Sequence, residues 1–233
     1  LSAQSVWLFQ RSTLAWTAMD DVVNQFPPTH RAFARYAAWF FARSAGSKLP
    51  AGRAAFRTAA LAHRLTRPST STVQLRIEDL HVVVDLNDPR RIQVVNELAQ
   101  QVDTAFLRTF VRKGDTFLDV GANHGAFALV ASQLVGETGY VLAGEPQPHL
   151  AAAVERSLSA TALGSYDVYA VALGDKEATI DLLIPRSYSG TAGVFKHHSG
   201  MHPHRRLTVP LKRFDDLVDA TRISGSDFLK LDI

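Results

Sequence analysis

Apolar and polar positions change rhythm several times along the chain, and each change marks an element. Residues 6–26 ("VWLFQRSTLAWTAMDDVVNQF") and 30–46 ("HRAFARYAAWFFARSAG") repeat their apolar positions at helical spacing. Pro27 and Pro28 separate these two predicted helices, and Gly46 closes the second. The polar run "RPSTST" predicts a linker, so residues 1–70 are expected to form a helical region of their own, dispensable for whatever 71–233 binds. Val73, Leu75 and Ile77 then alternate, as do Val82, Val84 and Leu86 beyond a turn at Glu78 and Asp79, which predicts a β-hairpin. Leu98, Val102, Ala105 and Phe106 share one helical face, in a helix that is expected to end at Gly114.

From Thr116 onward strand and helix rhythms alternate. "TFLDV", "YVLAGE" and "YDVYAVAL" read as strands, while Phe127, Val130, Ala131, Leu134 and then Leu150, Val154, Leu158 mark helices between them. This order predicts an α/β fold, a parallel sheet with helices on its faces and right-handed crossovers. "TIDLLIP" and "RLTVPL" add extended pieces, "DDLVDA" a short helix, and "DFLKLDI" a further central strand. In a sheet that reverses its order after the first strand, "FLKLD" would lie beside "TFLDV".

Composition narrows the function classes. A chain of 233 residues, nearly half of them apolar, can bury one good core with a smaller appendage. No apolar run approaches the roughly 18 residues of a membrane-spanning helix, and no signal peptide opens the sequence, so a cytoplasmic protein is expected. The absence of cysteine removes disulfides and thiolate metal sites. The sequence opens at Leu1 and stops on a strand pattern, so a longer protein is expected, with the sheet truncated on its C-terminal side. Net charge is only +3, yet Val22 to Ile77 holds no acid and includes Arg31, Arg35, Arg43, Arg53, Arg57 and Arg64. Such a stretch suits nucleic acid, an anionic membrane surface or an acidic substrate. The commoner arrangement packs Phe33, Tyr36, Trp39 and their neighbours on the core and leaves the arginines in water.

The chemistry concentrates in "FLDVGANHGAFAL", residues 117–129, where a strand gives way to a helix. Ligands of open parallel sheets bind at the carboxyl ends of the strands, and glycine at 121 and 125 lets the backbone turn sharply and be approached closely. The order D-x-G-x-N-x-G departs from the dinucleotide fingerprint G-x-G-x-x-G. Asp119 would repel a pyrophosphate and suits a cationic group such as an amino acid's ammonium. Glu145 ends the next strand, where a carboxylate accepts hydrogen bonds from ribose hydroxyls. S-adenosyl-L-methionine has both an amino-acid end and a ribose. For Asn123 two roles stand side by side, contact with the ligand and capping of a helix that starts at His124.

"GDTFLDVGANHGAFALVAS", "GEPQPHLAAAVERSL", "VALGDKEATIDLLI", "VPLKRFDDL" and "FLKLDI" follow one another in an order that resembles the FkbM-type methyltransferases, class I enzymes dependent on S-adenosyl-L-methionine. The resemblance runs from about Leu75 to Ile233. It implies a Rossmann-like sheet and O-methylation of a sugar or secondary-metabolite hydroxyl. It also implies that Asp119, Gly121, Asn123 and Gly125 surround the methionine part, that Glu145 meets the ribose, that Pro146 belongs to the cofactor site, and that Ala172 faces the adenine through its backbone. "EPQP" departs from the family in its third position, where asparagine is commoner, and the glutamate and glycine that usually follow "LKLDI" are missing.

Asp232, expected near the glycine loop, is the candidate to orient the acceptor hydroxyl and take its proton. "KHHSGMHPHRR" offers His197, His198, His202 and His204, of which His202 and His204 are alternative bases. With no carboxylate interleaved, a solvated loop or a substrate contact is expected there rather than a metal site. Two rival readings stay open: methylation of RNA, which the basic N-terminal third would serve, and a catalytically silent binding module that keeps the cofactor fold.

Overall fold

The computed structural model describes residues 21–28, 30–31, 72–86, 94–95, 97–98, 104–185, 204–217 and 227–232. The aromatic and arginine-rich stretch from Phe33, the linker residues 67–71, and His197, His198 and His202 lie outside the described residues. The elements in chain order are β1 (Thr72–Ile77), β2 (Leu80–Asp85), α1 (Leu107–Phe110), β3 (Thr116–Val120), α2 (Ala126–Val135), β4 (Tyr140–Gly144), α3 (Pro148–Thr161), β5 (Ser165–Tyr169), β6 (Ala172–Gly174), β7 (Ala178–Pro185), β8 (His204–Arg213), α4 (Phe214–Leu217) and β9 (Phe228–Leu231).

The expected α/β architecture is present, centred on a parallel sheet in the order β5-β4-β3-β9. "TFLDV" and "YVLAG" are apolar almost throughout because β3 and β4 are buried on both faces, as parallel strands are. Phe117, Val141 and Ala143 point to one face and share a hydrophobic cluster with Ala128, Leu129 and Ala131 of α2 and with Val154 and Leu158 of α3. Phe117 stacks on Phe228 of β9 at a ring-centroid distance of 6.5 Å, which fastens β9 to β3. The strand order therefore reverses at β3: β4 and β5 lie on one side and β9 on the other, as the sheet rule predicts for "FLKLD".

The hairpin turns at Glu78 and Asp79, with Glu78 in the left-handed region at φ 54°. Its β2 edge is covered by α3. Val83 N–H donates to Ser157 Oγ at 2.8 Å, and His81 N–H donates to Thr161 Oγ1 at 2.8 Å. Ser157→Ala would leave the buried Val83 amide without its acceptor, an expected loss of about 1–3 kcal/mol in denaturant unfolding. An unchanged unfolding midpoint would show that this edge does not depend on α3. On the β1 edge the Gln25 side-chain amide stands in for a strand, accepting from Arg76 N–H at 2.6 Å and donating to its carbonyl at 2.9 Å. Val22, Val23 and Phe26 are buried in the same cluster as the hairpin and the sheet, so part of the 1–70 region contributes to this core.

Two expectations about phase and pairing are corrected. Thr104 and Leu107 are buried where Ala105 and Phe106 were expected, and Phe106 is 49% exposed. A turn at residues 104–106 resets the helical phase, and α1 ends at Phe110, with Gly114 in a later turn at φ 88°. "YDVYAVAL" is two strands. β5 completes the parallel sheet, whereas β6 leaves it to pair parallel with β8 in a second sheet, ordered β6-β8-β7. Alternation records burial on a face, and the same alternation continues when a strand changes partner.

Candidate functional site

The carboxyl ends of β3, β4 and β9 meet at the glycine loop, residues 121–125. Gly121 has φ 76° and Gly125 φ 79°, conformations that glycine adopts without steric cost. Each glycine also admits a neighbour. A Cβ at Gly121 would run into the Asp232 carbonyl, whose carbon lies 3.1 Å from that position, and one at Gly125 would press on Val154 of α3. The close approach expected of a ligand at Gly121 is thus made by the end of β9 itself.

Four of the loop's five amides have acceptors within the protein. Gly121 and Ala122 N–H both donate to the Gly144 carbonyl at 2.9 Å, Asn123 N–H donates to Glu145 Oε2 at 2.8 Å, and Gly125 N–H donates to the Ala122 carbonyl at 2.8 Å. Glu145 Oε1 accepts from Gln147 N–H at 2.9 Å, so one carboxylate ties the loop to the start of α3. Asp119, fully buried, accepts from Ala128 N–H at 3.1 Å and serves the N-terminus of α2, where an acid is favoured. Burial pushes both carboxyls above their ordinary values. For Asp119 the opposing pull comes from Lys230 and the Ala128 amide, and for Glu145 from the Gln147 and Asn123 amides.

Asn123 does not cap α2. The helix starts at Ala126 with Gly125 as N-cap and no side-chain cap, because the left-handed turn at Asn123 (φ 53°) and Gly125 carries the chain past the expected start at His124. The Asn123 Oδ1 is buried without a hydrogen-bond partner among the described residues. His124 is buried rather than exposed. Pro146 is half-buried and leads into α3, which begins with Pro148 after the N-cap Gln147. Ala172 opens β6 opposite Leu211 of β8, with the adjoining Leu173 close to Gly144 at the end of β4. His204 opens β8 opposite Pro185, in the second sheet. Asp232 follows β9, its N–H donating to the Val120 carbonyl at 3.0 Å and its side chain 81% exposed.

The residue that motif reading passed over is Lys230. It pairs in register with Asp119 across β3 and β9. Its Nζ lies 3.1 Å from Asp119 Oδ1, in an ion pair rather than an aligned hydrogen bond. It also donates to the Gly121 carbonyl at 2.6 Å, approaches Asp232 Oδ2 at 3.8 Å, and sits 5.6 Å from the Phe127 ring centroid. A signal was present in "FLKLD", where Phe228, Lys230 and Asp232 alternate onto the face that adjoins Phe117 and Asp119. Leu229 and Leu231, the apolar pair that suggested a central strand, are exposed, and β9 is the end strand of the four described.

The arrangement can hold a ligand with donor groups against oxygen acceptors at the end of a parallel sheet, and it sets one cation between two carboxylates beside that place. No helix among the described residues is long and apolar enough to cross a membrane. A search of curated proteins finds no match to the chain. Residues 119–233 match the family model of the methyltransferase FkbM domain, a segment that opens at Asp119 and holds the loop, Glu145 and all of β9. Residues 119–233 thus carry a methyltransferase FkbM domain, which supports a methyltransferase in general.

Proposed function

We propose that the protein transfers a methyl group from S-adenosyl-L-methionine to a hydroxyl of a sugar or secondary metabolite, on a Rossmann-like class I sheet. The observation that carries this reading is the reversal of strand order at β3, which gathers the glycine loop, Glu145 and Asp232 at one carboxyl edge. The loop favours a methyl donor over a dinucleotide for a physical reason. Its amides at Gly121, Ala122, Asn123 and Gly125 already have acceptors, so a pyrophosphate would find few donors, whereas an ammonium or a ribose hydroxyl needs acceptors.

The residues present fit that ligand. The Asn123 Oδ1, which has no hydrogen-bond partner among the described residues, is an acceptor for the methionine ammonium, with Asp119 holding the loop from beneath. Glu145 spends one bond per oxygen on backbone amides and, with about four lone-pair sites, retains capacity for ribose hydroxyls beside Pro146. The backbone near Ala172 borders the adenine side. Bound there, S-adenosyl-L-methionine supplies an electrophilic methyl on a sulfonium. The protein supplies alignment, and Asp232 takes the acceptor's proton, in place of His202 or His204.

Calorimetry with S-adenosylhomocysteine and with NAD tests the reading. Saturable binding of the former and none of the latter is expected. Preference for NAD would remove the loop assignment, and donor binding without transfer to any alcohol would leave a silent module.

A further inference from the structure

We infer that Lys230 is a catalytic residue that grips the methyl-accepting hydroxyl together with Asp232; this rests on the methyltransfer reading above. An ammonium has three N–H donors. One is directed to the Gly121 carbonyl, while the charge pairs with Asp119 at 3.1 Å and the Phe127 ring flanks the same nitrogen. Asp232 Oδ2 is 3.8 Å away, beyond the roughly 2.7–3.2 Å of a direct N–H···O bond. One oxygen atom about 2.8 Å from each group closes that gap. A hydroxyl satisfies both sides at once, because it accepts from the ammonium and donates to the carboxylate. An amine acceptor in its ammonium form would instead meet a like charge. Lys230 is 17% exposed and Asp232 81%, so substrate can reach both.

The pair also has the right chemistry for the step. The hydroxyl oxygen forms its bond to the methyl carbon as the carbon–sulfur bond of the sulfonium breaks, and that electron pair stays on sulfur. The hydroxyl proton passes to Asp232 and from there to water. Lys230 keeps its own proton throughout and stabilises the negative charge that grows on the attacking oxygen, the role of an oxyanion donor. Its anchorage to Asp119 and Gly121 holds it in place before substrate arrives.

The test compares Asp119→Asn with the double variant Asp119→Asn/Lys230→Met, so that removing the lysine leaves no bare buried carboxylate. Each full-length protein is incubated with methyl-labelled S-adenosyl-L-methionine and an extract of the source organism, and S-adenosylhomocysteine affinity is measured by calorimetry. The expected result is a rate of labelled product at least about 100-fold below the single variant, the loss typical of one oxyanion donor, with affinity within a few-fold. A rate within a few-fold of the single variant, or an affinity that falls in step with the rate, would overturn the role of Lys230 and leave the methyltransfer reading standing. No labelled product from the wild type would overturn both.

Discussion

Lys230→Met is expected to destabilise the protein by about 3–5 kcal/mol, the range for removing one partner of a buried ion pair. The carboxylate left behind belongs to Asp119, which has no exposed surface and keeps only the Ala128 amide as a close partner from α2. The pH dependence gives this cost a signature. Burial already raises the Asp119 value above 3.8, and Lys230 is the largest influence lowering it, so the variant's folded value lies higher still. A carboxyl whose folded value is raised costs stability fully above that value, and the cost is gone below the unfolded 3.8. The deficit should therefore be largest at neutral pH and shrink on acidification, and adding Asp119→Asn should recover most of it. Urea unfolding across the acid range measures both effects. A cost that is the same at every pH would show that Lys230 stabilises through packing and its Gly121 bond instead.

Gly121→Ala is expected to cost about 2–5 kcal/mol, from a left-handed backbone penalty of about 1–2 and an overpacking term of about 1–3. The second term arises because the obstacle is backbone, the carbonyl of Asp232, a residue tied to β3 by the bond from its N–H to the Val120 carbonyl. Gly114→Ala provides the comparison. Gly114 also has positive φ, at 88°, but its Cβ would meet only Thr138 Oγ1 at an ordinary 3.5 Å, so it should lose the backbone term alone. Chemical denaturation of the two variants separates the terms. Equal losses would mean that β9 yields at its end and that the contact with Gly121 is soft.

Much of this fold is legible in the order of side chains. β3, α2, β4 and α3 announce themselves because each buries a face through local periodicity, and "FLDVGANHG" marks the kind of strand end at which open parallel sheets bind ligands. The neighbourhood of β3 and β9 follows from the rule of sheet reversal although the segments are distant in the chain. What the pattern does not carry is identity of partner. Nothing local distinguishes β5 from β6 within "YDVYAVAL", since the pairing to β8 is made far along the chain. Phe106 and Leu107 are both apolar, and only the turn at residues 104–106 decides which is buried. Asn123 carries the chemistry of a cap, yet the left-handed turn moves the helix start three residues beyond it. Lys230 reads as an ordinary strand lysine until the register sets it against Asp119.

The four bonded amides of the glycine loop also fix when its conformational freedom is lost. Gly121, Ala122, Asn123 and Gly125 find their acceptors in Gly144, Glu145 and Ala122 as the chain folds. Ordering a loose loop at the moment of capture would subtract roughly 1–2 kcal/mol per residue from affinity. Here that entropy is already spent in folding, so a ligand bound at this loop would meet an ordered backbone, and its affinity would report contacts rather than rearrangement.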